Sequence, residues 1–284
     1  MDDSVDFFGI EFVEVPDGEV FVGSDKGGLV HASERPRYEA KIESFKIMKS
    51  LLTKRQFSQI MGEENESDEP IDSISWDRLE EMLERIQSTL DDGFEVRLPS
   101  EAEWLRCKDY LDLKLPISCE EILWDHPHPN NRGAPNDGRP RIDDRADNLM
   151  RKYRVSMKSH PTKSGLTFKT QTPVFSPQKD AHFRLIIRRI PTEEAHSIPE
   201  EADFAATFRQ EAIFALFIGI IPSFLIPIAR GFSDYIYEGW VNLMFGGICF
   251  SLVTSLFWRP RRPTWYFDEN TNRFVPRKSG DNNH

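Results

Sequence analysis

Two histidines and an aspartate stand close together in the segment WDHPHPNN, which contains Asp125, His126 and His128. Imidazole and carboxylate groups bind zinc or iron when enough of them converge on one ion. Here a proline separates the histidines, and no HxxxH helix offers them a rigid platform. The segment therefore predicts a metal site only as an alternative to polar loop surface.

A second group of oxygen donors lies in the loop APNDGRPRIDDRA. Asn136, Asp137, Asp143 and Asp144 are hard ligands of the kind that calcium prefers, but their spacing does not match an EF-hand loop. Polar turn chemistry explains the same composition. A structural calcium ion is thus an open alternative, and we expect no other cofactor.

The chain has three cysteines, Cys107, Cys119 and Cys249. Such a low number favours free thiols over disulfides in a cytosolic protein. No phosphate-binding loop and no local signature of a Ser/His/Asp hydrolase accompanies them. The residues alone do not indicate a catalytic centre.

The elements that must position these side chains are clearest around RLPSEAEW, residues 97–104. Phe94–Leu98 alternates like a short strand, and Pro99 ends it. Ser100 and Glu103 have the spacing of a capping box, so a helix should begin near Glu101. Helical spacing then places Trp104 and Cys107 on the inward face.

Similar joints precede this one. Phe12–Gly23 predicts a hairpin with its turn at Asp17-Gly18. Phe45–Met61 predicts a strand followed by a helix, with Thr53 and Gln56 as a capping box. A further helix should begin at Ser75-Trp76, because apolar residues follow at helical spacing: Leu79, Met82, Leu83, Ile86 and Leu90.

The order of these elements, from about Phe12 to Arg189, resembles the formylglycine-generating enzyme (sulfatase-modifying factor) family, whose domain is a variant of the C-type lectin fold. RLPSEAEW and the block Pro70–Ile86, similar to PVxxVSWxxA, carry the resemblance. Glu34, Pro36 and Tyr38 resemble the family's ExPxH, with Tyr38 replacing His. Weaker counterparts exist for GNVWEW, the RGGSW turn and GFRxxR: Ile122–Asp125, Arg154–Met157 and His182–Arg189.

The resemblance implies an α+β domain. It also implies which residues an active oxidase of the family would need. Oxidases of the family bind copper through a pair of cysteines late in the domain, and thiolates are suitable ligands for Cu(I). The corresponding residues 151–189 contain no cysteine. The resemblance thus favours a non-catalytic binding or sensing module. Alternatives are a metal-dependent oxidase with relocated ligands and a sensor domain that controls a two-helix membrane effector.

Two apolar runs near the C-terminus, Ala212–Ala229 and Trp240–Trp258, are long enough to span a bilayer as helices. We therefore expect a transmembrane hairpin. Gly219, Gly246 and Gly247 would allow the helices to approach closely, and a homo-oligomer through these helices is a further expectation.

This divides the chain into an α+β domain (1–190), an acidic linker (191–210), the hairpin (211–258) and a basic, then polar tail (259–284). Arg259, Arg261 and Arg262 follow the second helix, so the positive-inside rule places the tail in the cytoplasm. An even number of spans and the lack of a signal peptide place the N-terminal domain there too.

The formal net charge of -11 argues against a nucleic-acid partner, which would require a basic surface. The expected partners are the lipid bilayer and a protein or small ligand whose identity the sequence does not indicate.

Overall fold

The computed structural model describes residues 8–111, 119–143, 149–163, 166–176, 181–201 and 204–277. The chain has an α+β fold, as predicted, and forms two compact units. The first comprises residues up to Val22, Tyr38–Pro129 and Ala134–Ile198. The second comprises Gly23–Arg37, Asn130–Gly133 and the residues from Pro199 onward.

The strands of the first unit precede and follow its three described α-helices. The strands are β1 (Phe12–Val15), β2 (Gly18–Val22), β3 (Tyr38–Ile42), β4 (Phe45–Met48), β5 (Phe94–Arg97), β6 (Glu120–Ile122), β7 (Tyr153–Ser159), β8 (Thr167–Pro173), β9 (Ala181–His182) and β10 (Ile186–Arg189). The helices are α1 (Lys54–Met61), α2 (Trp76–Gln87) and α3 (Glu101–Tyr110).

Two four-stranded sheets organise this unit. One has the order β1-β4-β10-β5 with antiparallel neighbours, so the last strand of the unit lies in its interior. The other has the order β8-β7-β6-β9, in which β6 and β9 are parallel. Arg154–Met157, which resembles the RGGSW turn only weakly in sequence, lies within strand β7.

The hairpin predicted for Phe12–Gly23 is wrong. β1 pairs with β4, whereas β2 pairs with β3, so the two strands belong to different pairings. At the joint between them, the Arg106 guanidinium of α3 donates hydrogen bonds to the carbonyls of Pro16 and Asp17 at 3.4 and 3.1 Å. The corner between β1 and β2 is thus held by α3.

The helices begin where their capping signals predict. Thr53 with Gln56 and Ser100 with Glu103 both form complete capping boxes. The apolar stripe of α2 is buried at four of its five predicted positions, and Leu90 is partly buried against the same core. Trp104 and Cys107 are fully buried, which confirms the predicted inward face of α3.

The second unit contains α4 (Phe204–Phe214), a π-helical turn (Ala215–Ile220), α5 (Ile221–Arg230), α6 (Asp234–Phe257) and a hairpin of β11 (Thr264–Asp268) and β12 (Arg273–Arg277). Segments Phe204–Arg230 and Tyr237–Phe257 are long and apolar enough to cross a membrane. The first helix starts at Phe204 rather than at Ala212, within the expected linker.

Two glycines set the separation of these helices. A Cβ atom on Gly219 would lie 2.8 Å from the carbonyl carbon of Gly247, so only hydrogen fits at this crossing. Gly246 faces open space, since a Cβ atom there would have no neighbour within 4 Å. The expected close approach is therefore made by Gly219 and Gly247 and not by Gly246. The π-helical turn ends just before Pro222, whose missing N–H disrupts regular helical bonding.

Candidate functional site

RLPSEAEW forms a buried ionic framework. Glu103 is 0% exposed and accepts hydrogen bonds from Arg97 Nη1 and Nη2 at 2.8 and 2.9 Å, and from Arg188 Nη1 at 2.8 Å. Burial would raise the pKa of Glu103, but the charges of Arg97 and Arg188 hold it below its usual range. The octapeptide thus fixes β5, α3 and β10 together, which is a structural role.

Asp125, the carboxylate of the candidate metal site, instead anchors backbone. Its Oδ2 accepts a hydrogen bond from the N–H of Glu101 at 2.7 Å, and its Oδ1 accepts one from the N–H of Arg141 at 2.5 Å. The carboxyl therefore lies at the N-terminus of α3 and also holds the loop before Asp143. Burial raises the pKa of Asp125 to about 7.

His126 holds the same loop from its other side. Its Nδ1 accepts a hydrogen bond from the N–H of Asp143 at 2.7 Å, and its own N–H binds the carbonyl of Arg141 at 2.9 Å. Burial lowers the pKa of His126 to about 4. Because Nδ1 already accepts this hydrogen bond, the ring of His126 supports the loop. His128, two positions further along the chain, is half-buried.

Among the described residues, no three His, Cys, Asp or Glu side chains converge as a metal would require. The structure brings Asp125 and His126 together around one loop but does not form the predicted metal triad with His128. Asp125 and His126 each make hydrogen bonds to backbone groups, which accounts for the burial of these two side chains.

The residues of the candidate calcium loop also bind protein groups. Asp137 accepts hydrogen bonds from the backbone N–H and Nε of Arg139 at 3.0 and 2.6 Å. Asn136 is buried, and its backbone binds Lys41 and His196. Asp143 is buried as well, and Asp144 lies outside the described residues. A calcium site in this loop stays an untested alternative to polar turn chemistry.

The cysteines of the described chain are all free thiols. Cys107 is fully buried in α3, and burial raises its pKa well above the ordinary value. A thiol that stays protonated is a poor nucleophile and a poor metal ligand. Cys107 therefore behaves as a small apolar core residue.

An aromatic and cationic cluster, which sequence reasoning did not find, lies on another part of the first unit. The rings of Trp76 and Trp124 are 5.3 Å apart, and the guanidinium of Arg154 lies 4.3 Å from the centre of the Trp76 ring. Burial lowers the pKa of Arg154 to about 10. Trp76 Nε1 also donates a hydrogen bond to Glu80 at 2.6 Å.

Trp124 forms one wall of an open cleft of about 530 Å³, which we call the Trp124 cleft. Its other lining residues come from α2 and β5: Glu80, Leu83, Glu84, Gln87, Ser88 and Val96. Gln87 covers the edge of β5, because its amide binds the carbonyl of Phe94 and the N–H of Val96 at 2.8 and 3.0 Å. The cleft is therefore rigidly walled on the strand side.

The charged groups lining this cleft are acidic. Glu80 and Glu84 are one helical turn apart on α2, a spacing at which like charges repel. Glu80 accepts the hydrogen bond from Trp76, whereas the Glu84 carboxylate makes no hydrogen bond or ion pair within the described part of the chain. The neighbouring Glu81 differs, since it pairs with Arg85 at 2.8 Å and does not line the cleft.

Comparison with known proteins gives a limited result. No family model matches the chain, and no curated protein matches it. Among solved structures, PvdO from Pseudomonas aeruginosa is similar with 12% identity and a TM-score of 0.47, over 64% of this chain and 95% of that one. Treponema denticola variable protein 1 has 12% identity and a TM-score of 0.35, over 60% and 94%.

Proposed function

We propose that the chain is a membrane-anchored binding module whose ligand presents a basic side chain to the Trp124 cleft. The observation that carries this proposal is the combination of an indole wall with two carboxylates in one cavity. A guanidinium or ammonium group is attracted both by the face of a tryptophan and by carboxylates. The first unit thus acts by recognition rather than by catalysis.

The charge of the cleft supports a cationic ligand. The Glu84 carboxylate has no hydrogen-bond or ion-pair partner in the described chain, and a cation bound between it and Glu80 would relieve the repulsion between the two carboxylates. The protein already holds one guanidinium in this manner, because Arg154 lies over Trp76 and is attracted by Glu80. The ligand we infer is a lysine or arginine side chain of a peptide or protein partner.

The fold assigned to the first unit is a degenerate formylglycine-generating-enzyme domain. Support comes from RLPSEAEW, whose Arg97 and Glu103 join the strand that corresponds to GFRxxR through Arg188. The residues that offered metal chemistry, Asp125 and His126, bind backbone groups of a loop instead. A non-catalytic role accords with both observations.

The anchor is the helical hairpin of the second unit. Most of its large apolar side chains are exposed, such as Phe245 and Phe250 at 66% and 61%, and a hydrocarbon environment would cover them. The tail and the first unit lie on the cytoplasmic side in this proposal, since Arg259, Arg261 and Arg262 follow α6 directly.

Calorimetric titration of the full chain in detergent micelles with acetyl-Gly-Arg-Gly-amide tests the function. We expect saturable binding, absent for the matched Gly-Gln-Gly peptide, and weakened about threefold by Glu84→Gln, the magnitude of an exposed ion pair. Glu81→Gln removes the same charge from a residue outside the cleft and should leave binding unchanged. Equal binding of both peptides would refute the proposal.

A further inference from the structure

Four arginines of the second unit come from two of its segments, one of which also contains Arg37. Arg259 follows α6, Arg261 and Arg262 come next, and Arg35 belongs to the segment Gly23–Arg37 of the same unit. This segment is held there by close backbone contacts, because a Cβ atom on Gly27 would overlap the carbonyl oxygen of Pro260. The arginines therefore share one small region.

Two of the four are neutralised by carboxylates. Arg259 pairs with Glu211 at 2.8 Å, and its guanidinium lies 4.7 Å from the centre of the Phe214 ring. Arg261 pairs with Asp25 at 2.9 Å. The third acidic side chain of this region, Glu34, lies 3.6 Å from His31. Each of these carboxylates thus already has a basic neighbour.

The other two arginines contact only neutral groups within the described chain. Arg262 Nη1 donates a hydrogen bond to the amide oxygen of Gln210 at 2.5 Å, and its Nε is buried without a hydrogen-bond partner. Arg35 Nη1 donates to the carbonyl of Gly27 at 3.2 Å. Burial and the positive charge of Arg262 both lower the pKa of Arg35, so the two guanidiniums repel each other.

Two guanidiniums held together without a counterion among the described residues mark a place where an anion would be stabilised. We propose that Arg35 and Arg262 bind the phosphate of an anionic membrane phospholipid. Phosphate fits two guanidiniums through paired, charge-assisted hydrogen bonds. This inference rests on the membrane anchoring of the proposed function.

The position of the pair selects a lipid rather than a soluble phosphate. Arg262 lies five positions after Phe257, the end of the second candidate span, and Gln210 lies in the first turns of the other span. Trp258, which lies between Phe257 and Arg262 in sequence, is 62% exposed, as expected of an aromatic residue at the membrane interface. Phosphate groups of the cytoplasmic leaflet occupy the same level.

The test is lipid binding to the full chain in non-ionic detergent, observed by native mass spectrometry. We expect phosphatidylglycerol to remain bound more than phosphatidylcholine, and Arg262→Gln or Arg35→Gln to lower its occupancy about fivefold each. Arg261→Gln removes one charge from the same region but from an existing ion pair, so it should change occupancy much less. Circular dichroism verifies that each variant is folded.

Equal losses for all three variants would show general charge attraction and overturn the site. Competition by millimolar glycerol 3-phosphate would overturn the lipid as the source of the phosphate. Membrane anchoring is tested separately by alkaline extraction of membranes. A chain released by that wash would refute the anchor, whereas a retained chain with equal losses would refute only the arginine site.

Discussion

Arg188 Nη1 lies 2.8 Å from Glu103 Oε1, although 85 residues separate the two along the chain. Both side chains are buried, at 3% and 0% exposure. Glu103 also closes the capping box of α3 by accepting the N–H of Ser100 at 2.8 Å. One carboxylate thereby joins a local helix signal to the last strand of the first unit.

Replacement of Glu103 by Gln should destabilise the first unit by about 3 kcal/mol, because the buried guanidiniums of Arg97 and Arg188 then keep only the partly exposed Glu95 as a counter-charge. Urea unfolding of the full chain in micelles, followed by near-ultraviolet circular dichroism, measures the loss. Glu81→Gln removes an exposed carboxylate on α2 and should change stability by less than about 0.5 kcal/mol. Similar effects of the two variants would contradict the framework role.

The two buried residues Asp125 and His126 should contribute to the free energy of unfolding with opposite dependences on pH. Asp125 has a pKa of about 7 when folded, against 3.8 ordinarily, so folding retains its proton and its contribution to stability falls as the pH rises between these values. His126 has a pKa of about 4 when folded, against 6.5, so the unfolded chain binds the proton and the contribution of His126 rises over that window.

The two effects should largely offset each other in the unaltered chain and separate in a variant. His126→Asn keeps an acceptor for the N–H of Asp143 but does not titrate. Relative to the unaltered chain, this variant should lose on the order of 1–2 kcal/mol of stability between pH 4 and pH 7, because solvent screens part of the effect of the pKa shift of His126. Unfolding curves at pH 4, 5, 6 and 7 measure the difference. A constant difference across this range would contradict the pKa shift of His126.

The crossing of Gly219 with Gly247 predicts a selective effect of methyl groups. Gly219→Ala should destabilise the helical hairpin by about 1–3 kcal/mol, because the new Cβ meets the backbone of the other helix. Gly246→Ala, in open space on α6, is the matched control and should be neutral or slightly stabilising. The melting temperatures of the two variants are measured in micelles by the thermal loss of the helical circular dichroism signal. Equal melting temperatures of Gly219→Ala and Gly246→Ala would contradict the close crossing.

Calcium should leave the melting temperature of the first unit unchanged. Asp137 already binds Arg139, and Asn136 and Asp143 are buried among protein groups. Differential scanning fluorimetry of the full chain with millimolar calcium, and with magnesium as control, tests this expectation. A rise that is specific to calcium would instead support the predicted calcium site.

Local signals in the sequence were sufficient for the helix starts. Ser100 and Glu103, or Thr53 and Gln56, are three residues apart and satisfy each other's backbone, so their geometry depends on few distant contacts. The burial of Trp104 follows in the same way from helical spacing. Such features are predictable because the physics that determines them is confined to one or two turns.

Pairings between distant segments were not predictable in this way. Asp17-Gly18 has the composition of a hairpin turn, but Arg106 binds the carbonyls at this corner and β1 pairs with β4. The Trp124 cleft likewise depends on contacts between α2 and the segment after β6. The only sequence signal for it was Trp124 itself, within the weak counterpart of GNVWEW.

The most direct test of the central claim is the indole N–H resonance of Trp124 in the full chain labelled with [15N]tryptophan. It is assigned by Trp124→Phe and followed during titration with acetyl-Gly-Arg-Gly-amide. We predict a saturable shift of this resonance that Glu84→Gln weakens and Glu81→Gln preserves. An unmoved Trp124 resonance, or an identical shift with the Gly-Gln-Gly peptide, would contradict recognition of a basic side chain in this cleft.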